Sequence, residues 1–160
     1  LKKTDGVAGF LLANGALNDS DTLEIRKELI QNDKIEAIVV LPRELFITTD
    51  ISVTLWILNQ NKKGGKYHGR NLRNREHEIL FMDLRQWTEN AVKGESKKKV
   101  RLNTEQIEKA ADIYHTWQCE GTDGADYEMP ELYRSVCINE IEIKAGLSHQ
   151  ANTLSLLTMI

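Results

Sequence analysis

The first apolar run of the chain, "VAGFLLA" at Val7–Ala13, is continuous rather than alternating. A run of this kind reads as a strand covered on both faces, as in a parallel sheet. Asn14 and Gly15 end it. Asp21 with Glu24 three residues on has the form of a capping box, and Ile25, Leu29 and Ile30 recur at helical spacing, which predicts a helix over 21–32. A second strand is predicted over 35–41, stopped by Pro42, whose missing N–H cannot join a ladder. A third covers 53–58. The eleven residues between these two strands, 42–52, are too few for a helical crossover, so the strands are predicted to be antiparallel neighbours. The pattern describes an α/β chain with a mixed sheet and an antiparallel hairpin near one edge.

Residues 59–77 carry Lys, Arg, Asn and Gly without an apolar period and read as a basic loop. "EILFMDL" at 78–84 is a further strand. After a polar stretch with Lys97, Lys98 and Lys99, Asn103 or Thr104 caps a helix whose apolar positions are Ile107, Ala110, Ala111, Tyr114 and Trp117, running to about Cys119. A loop at 121–129 and a short strand and turn within 133–143 follow, and there is no internal repeat. Trp56 and Trp117 fall on apolar faces and are expected in the core.

A length of 160 residues with 41% hydrophobic and 28% charged positions leaves room for a real core and excludes a disordered or fibrous chain. No apolar run approaches the roughly 20 residues that span a bilayer, so no membrane association is expected. The net charge of −3 excludes the global basic field of a stand-alone nucleic-acid binder, and any contact with DNA must be local. Two cysteines, Cys119 and Cys137, are too few for a disulfide framework, which fits a reducing, cytoplasmic setting. His115 and Cys119 stand four apart on the predicted helix, but two ligands do not complete a zinc site, and none is expected. Cys137 has no His-Asp partner nearby in sequence, so no thiol nucleophile is expected either.

Local basic clusters do exist. Lys62, Lys63 and Lys66, then Arg70, Arg73 and Arg75, then 97–101 could meet phosphates, each contact adding salt-sensitive affinity, or could be solvated loops. The loop "PRELFITTDIS" at 42–52 places one bulky ring, Phe46, among polar residues. Either the ring folds back on the sheet as core, or it is a platform for a base. Thr48 and Thr49 beside it could donate hydroxyls to a phosphate or base edge, or cap the local backbone.

The ordered set "GVAGFLLANGALNDSD", "EIRKELIQNDKIEAIVVLPRELFITTDISVTLWILNQNKK", "EILFMDLR" and "IEKAADIYHTW" resembles the modification subunit of type I restriction–modification systems over about residues 1–144. The family is an adenine-N6 DNA methyltransferase that uses S-adenosylmethionine, and the resemblance implies a partial Rossmann-like methyltransferase fold. It implies a boundary as well: 1–90 as the second half of the methyltransferase sheet domain and 91–144 as a helical extension. The family's glycine-rich cofactor motif and its Asn-Pro-Pro-Phe type tetrapeptide lie upstream of the strand that begins here. The chain's two prolines, Pro42 and Pro130, are far apart, so no catalytic residue is expected in it. No cofactor is expected for this chain alone, and by itself it is expected to be inactive.

Phe46 matches the family position that packs against a flipped base, and DNA contact is expected around it and at Thr48, Thr49, Lys62, Lys63, Arg70 and Arg73. The resemblance implies DNA, a specificity subunit and a restriction subunit as partners, with Tyr114 and Trp117 near the specificity-subunit surface. A catalytically silent module docking on a specificity subunit or on DNA is the second reading. In the family fold the strand at Val7–Ala13 has a neighbour on each side; one of them is expected to be missing here, leaving an open apolar edge, so a homo-oligomer formed through that strand is also expected, the alternative being that the tail at 152–160 folds back over it. From Ala145 the tail "AGLSHQANTLSLLTMI" leaves the family pattern. Suitable codons for it, read in a shifted frame, give "WSLSPSKYIEFIDHD", close to the family's continuation. A single-base deletion near Lys144 is the expected cause, making 145–160 a frame-shifted tail.

Overall fold

The computed structural model describes residues 4–46, 50–87 and 100–141. In chain order the elements are β1 (Val7–Ala13), α1 (Leu23–Gln31), β2 (Ile35–Val40), β3 (Val53–Asn59), β4 (Gly65–Tyr67), β5 (Arg70–Leu72), β6 (Glu78–Asp83), α2 (Thr104–Gln118), β7 (Glu128–Met129) and β8 (Tyr133–Cys137). A mixed six-stranded sheet runs β1-β3-β2-β6-β8-β7, while β4 and β5 form a separate hairpin.

β3 pairs antiparallel with both β1 and β2, and β2 pairs parallel with β6. The antiparallel neighbours expected from the 42–52 connection are therefore present. β1, β2 and β6 all run the same way, and their carboxyl ends gather at one end of the sheet. The tail expected to be frame-shifted lies outside the described residues, as do Thr48, Thr49 and the cluster 97–99.

Each face of the sheet carries its own core. Ile38, Val40, Trp56, Ile79 and Phe81 pack with Leu17 and with Ile30 of α1 on one side. Ala37, Val39, Val53, Leu80 and Met82 pack with Ile113 and Trp117 of α2 on the other. The alternation along β2 sends successive side chains to opposite helices. The register of β2 on β3 shifts between Ile35 and Ala37, at Glu36, so that Ile35 joins the α1 face with Ile38 and Val40. Trp56 and Trp117 are core, and their indole N–H groups donate to Thr54 Oγ1 at 2.9 Å and Ser135 Oγ at 3.0 Å.

Several expectations are corrected. β1 is not covered on both faces: exposure alternates along it, with Val7 at 50% and Leu11 at 48%. It is an edge strand among the described residues, and an apolar run alone does not say where its cover lies. The helix predicted from residue 21 begins at Leu23, with Thr22 rather than Asp21 at the N-cap position and no side-chain cap hydrogen bond; Asp21 stands in the preceding turn, its N–H donating to Asp19 Oδ1 at 3.0 Å.

The 59–77 stretch is not an unstructured loop. It folds as the β4–β5 hairpin, turned by His68 at φ 45° and Gly69 at φ 80°. Gly64, at φ 89°, brings the backbone so close to Leu72 and Arg73 that a Cβ would lie 2.5 Å from the Leu72 carbonyl oxygen. By contrast α2 starts where predicted. Asn103 Oδ1 accepts from Gln106 N at 2.8 Å and Gln106 Oε1 accepts from Asn103 N at 3.0 Å, a complete capping box. The boundary expected near residue 90 falls outside the described residues, and beyond it β8 pairs with β6 in the same sheet.

Candidate nucleic-acid interface

In open α/β sheets ligands meet the carboxyl ends of the parallel strands. The loop carrying Phe46 leaves β2 at that end. Its base is stapled: Leu41 N donates to Val53 O at 2.9 Å, Ser52 Oγ to Leu41 O at 3.1 Å, and Asn14 N, just past β1, to Ser52 O at 3.2 Å. Inside the loop Glu44 holds a left-handed φ of 62°, and its carbonyl accepts from Val100 N at 3.3 Å. This turn delivers Phe46 half-buried, one side packed against the α2-face core. The ring is thus part core and part surface.

Two further groups at this end carried no sequence signal of their own. Asn14 Oδ1 is buried without a hydrogen-bond partner among the described residues, and Arg43, exposed beside Pro42, donates through Nε to Asp50 O at 3.4 Å. Arg85, past the end of β6, is clamped on Asp83. Burial pushes the Asp83 carboxyl up, and the hydrogen bonds and charge of Arg85 more than reverse this, leaving it below its ordinary value.

The basic candidates gather elsewhere. β3 enters at the Phe46 end and leaves at Asn59, seven residues on, so Lys62, Lys63, Arg70 and Arg73 cluster at the opposite end, about 20 Å away by strand rise. Lys62 is an interior residue: its ammonium contacts Asp33 and donates to Ile35 O at 3.0 Å and Glu78 O at 2.7 Å. Burial lowers its pKa against the pull of Asp33. Arg73 forms a bidentate pair with Glu78, at 3.0 and 2.7 Å, and lies over the Trp117 ring. Lys63 is exposed, 4.0 Å from Glu76. Arg70 lines a cavity and has no carboxylate in ion-pair range among the described residues.

The sequence patterns missed what these cations surround. Glu36, fully buried, accepts from Arg75 Nε at 2.9 Å, Asn59 Nδ2 at 2.5 Å, and Tyr114 OH and Gln118 Nε2 at 3.1 Å each. Burial first, then the Glu36 charge, pushes the Tyr114 phenol well above its ordinary value. A buried carboxylate with four donors anchors α2 to the bulge of β2. An isolated Glu among apolar residues could have flagged it, but its partners lie 23 to 82 residues away. His115 is exposed on α2, and no group of three or more metal-binding side chains occurs among the described residues.

The N-6 DNA Methylase family model matches residues 1–146. The chain belongs to the N-6 DNA methylase family. It is 34% identical over 142 residues to the type I restriction enzyme HindI methylase subunit of Haemophilus influenzae, covering 86% of this chain and 28% of that protein. It is 33% identical over 111 residues to the MjaVII methylase subunit of Methanocaldococcus jannaschii, covering 69% of this chain and 17% of the other.

Among solved structures, the type I restriction-modification system methyltransferase subunit from Streptococcus thermophilus superposes with a TM-score of 0.66 at 20% identity over 98% of this chain and 27% of that one. The EcoKI M protein superposes with a TM-score of 0.58 at 15% identity over 96% and 34%. These likenesses establish the methyltransferase fold class for the mixed sheet. The chain spans about a quarter of the length of the first of these relatives.

In doubly wound α/β folds a glycine-rich cofactor cradle sits where a strand turns into a helix. Among the described residues no such cradle forms: the glycines at positive φ lie in the 64–69 hairpin and at Gly121, and α1 is preceded by Ser20, Asp21 and Thr22. The described residues therefore lack a glycine-rich cradle that would hold S-adenosylmethionine. No described helix is long and apolar enough to cross a membrane.

Proposed function

We propose that this chain is the base-contacting part of a type I DNA adenine-N6 methyltransferase subunit, inactive by itself, with S-adenosylmethionine held by polypeptide outside it. The observation that carries the reading is the placement of the half-exposed Phe46 ring at the shared carboxyl end of β1, β2 and β6, on a loop stapled to the strands on either side. An exocyclic amine is methylated only after its base leaves the stack, and the flipped base needs an aromatic wall. Phe46 is that wall; Arg43, exposed on the same loop, and Thr48 and Thr49, neighbours in sequence, are the candidates for the strand from which the base has swung. Lys63, exposed at the far end of the sheet, is the candidate there for a more distant part of the DNA.

The relatives are subunits of type I restriction enzymes, which supports DNA, a specificity subunit and a restriction subunit as partners and a cytoplasmic setting. The open edge of β1 supports strand addition there, including by a second copy of the chain, because its unpaired backbone groups and the exposed Val7 and Leu11 side chains form a template. Light scattering tests that point, and a monomer whose β1 amides exchange slowly would defeat it. The family match ends at residue 146, beside Ala145, where the likeness from sequence stops, which supports a shifted frame in the tail. Sequencing the gene through the Lys144 codon tests it.

The main experiment joins this chain to the amino-terminal portion of a type I methylase and measures methyl transfer to adenine in duplex DNA. The joined protein is expected to be active and Phe46→Ala to lower turnover. Micromolar binding of S-adenosylmethionine by this chain alone, seen in a calorimeter, would overturn the assignment. The second reading, a silent docking module, predicts binding to a specificity subunit with no methylation in any joined form.

A further inference from the structure

A cavity of about 320 Å³ lies between the start of β1, the β4–β5 hairpin and the last turns of α2, lined by Asp5, Asn59, Lys66, Tyr67, Arg70, Tyr114 and Gln118 among others. It is about 20 Å from the Phe46 loop by the rise of β3. Its size is at the lower end of the range for small-molecule sites.

Two polar atoms of its lining residues are left open among the described residues, and Arg75 Nη2, in the adjoining Glu36 cluster, is a third. Gln118 is only 5% exposed; its Nε2 donates to Glu36, while its Oε1 is buried with no partner among the described residues. The orientation of this amide is fixed, because turning it would set its oxygen against the Glu36 carboxylate. Arg70 Nη1 is likewise buried without a partner. The neighbouring cations Lys62, Lys63, Arg73 and Arg75 each have a carboxylate, whereas Arg70 and the exposed Lys66 have none in range among the described residues. Arg70 shares the cavity lining with Tyr114 and Gln118 of α2. Asp5 supplies the one negative charge in the lining.

A buried donor on a cation and a buried acceptor on an amide are costly when empty and define what would fill them. We propose that this cavity binds a small organic oxyanion that also carries an N–H or O–H donor. The phosphate or carboxylate sits on Arg70 with Lys66 at the mouth, the donor meets Gln118 Oε1, and the exposed Tyr67 ring covers the ligand's flat or apolar part. This site is independent of the base-contacting loop, since no residue is shared between them.

The test uses the full 160-residue chain, with binding followed by calorimetry and by chemical shifts of the Gln118 side-chain amide. AMP supplies a phosphate with donors, and L-glutamate a carboxylate with a donor. Sulfate is an oxyanion without a donor, and adenosine has donors without the charge. One of the first two is expected to bind with a Kd below about 1 mM, at least about tenfold tighter than sulfate or adenosine, and to move the Gln118 signal. Which of them binds distinguishes a phosphate from a carboxylate ligand.

Arg70→Gln, at a side chain with no internal ion pair, is expected to leave the melting temperature unchanged and weaken that binding at least about tenfold. Failure of both AMP and L-glutamate to bind at low-millimolar concentration would overturn the proposal. So would sulfate binding as tightly as either, or an Arg70→Gln variant that melts like the parent and binds unchanged.

Discussion

Replacing Glu36 by Leu tests whether the buried polar cluster holds α2 on the sheet. The side chain is 0% exposed, and the substitution leaves Arg75, also 0% exposed, without its carboxylate. Removing one partner of a buried ion pair costs about 3–5 kcal/mol, because the other charge stays desolvated. Asn59 Nδ2, Tyr114 OH and Gln118 Nε2 lose their acceptor in the same step, each loss being worth about 1–3 kcal/mol if taken singly. These terms overlap, since one relaxation or one entering water serves several donors, so the expected total is about 4–5 kcal/mol.

For a chain of 160 residues that is a fall of about 10–15 °C in Tm. The assay is urea unfolding of the parent, Glu36→Leu, Arg75→Met and the double variant. The double variant is expected to recover at least about 2 kcal/mol relative to Glu36→Leu, since the orphaned charge is gone. A loss below about 1 kcal/mol in Glu36→Leu, or a double variant no more stable than it, would refute the reasoning.

Other expectations follow from single residues. Phe46→Ala, at a half-buried ring, should cost about 1–2 kcal/mol, less than the 3–5 kcal/mol of a fully buried one, while lowering methylation in the joined enzyme much more than this loss of stability explains; melting curves beside a turnover assay decide it. Glu44→Gly should stabilise by about 0.5–1 kcal/mol, the relief at φ 62° being partly offset by a freer unfolded chain, and unchanged or lower urea stability would contradict this.

Burial, followed by the neighbouring Tyr133, pushes the Tyr127 phenol up to about 12, and its hydroxyl donates to Ile113 O at 2.8 Å. This is an acid whose folded pKa exceeds its unfolded value. Its contribution is therefore whole below about pH 10 and is lost as pH rises toward 12. Stability should fall across that alkaline window, and Tyr127→Phe should flatten the fall in urea melts.

Much of the fold was legible because its signals are local. Pro42 ends β2, the short 42–52 link forces the antiparallel hairpin, and Asn103 with Gln106 writes the start of α2 in four consecutive residues. The Leu-Pro turn and the Phe46 loop likewise carry the family likeness within one stretch of chain.

What only the tertiary structure decided depends on partners distant in sequence. Lys62, Arg70 and Arg73 look alike along the chain. Folding buries the first against Asp33, stacks the third on Trp117 and pairs it with Glu78, and leaves the second facing a cavity, because their carboxylates come from other elements. Glu36 looks like a charge misplaced in an apolar strand until Arg75, Asn59, Tyr114 and Gln118 converge on it. Even β1, whose continuous apolar run reads as covered on both faces, is half exposed. Hydropathy reports a preference for leaving water, while burial is granted only where another element arrives to cover the side chain.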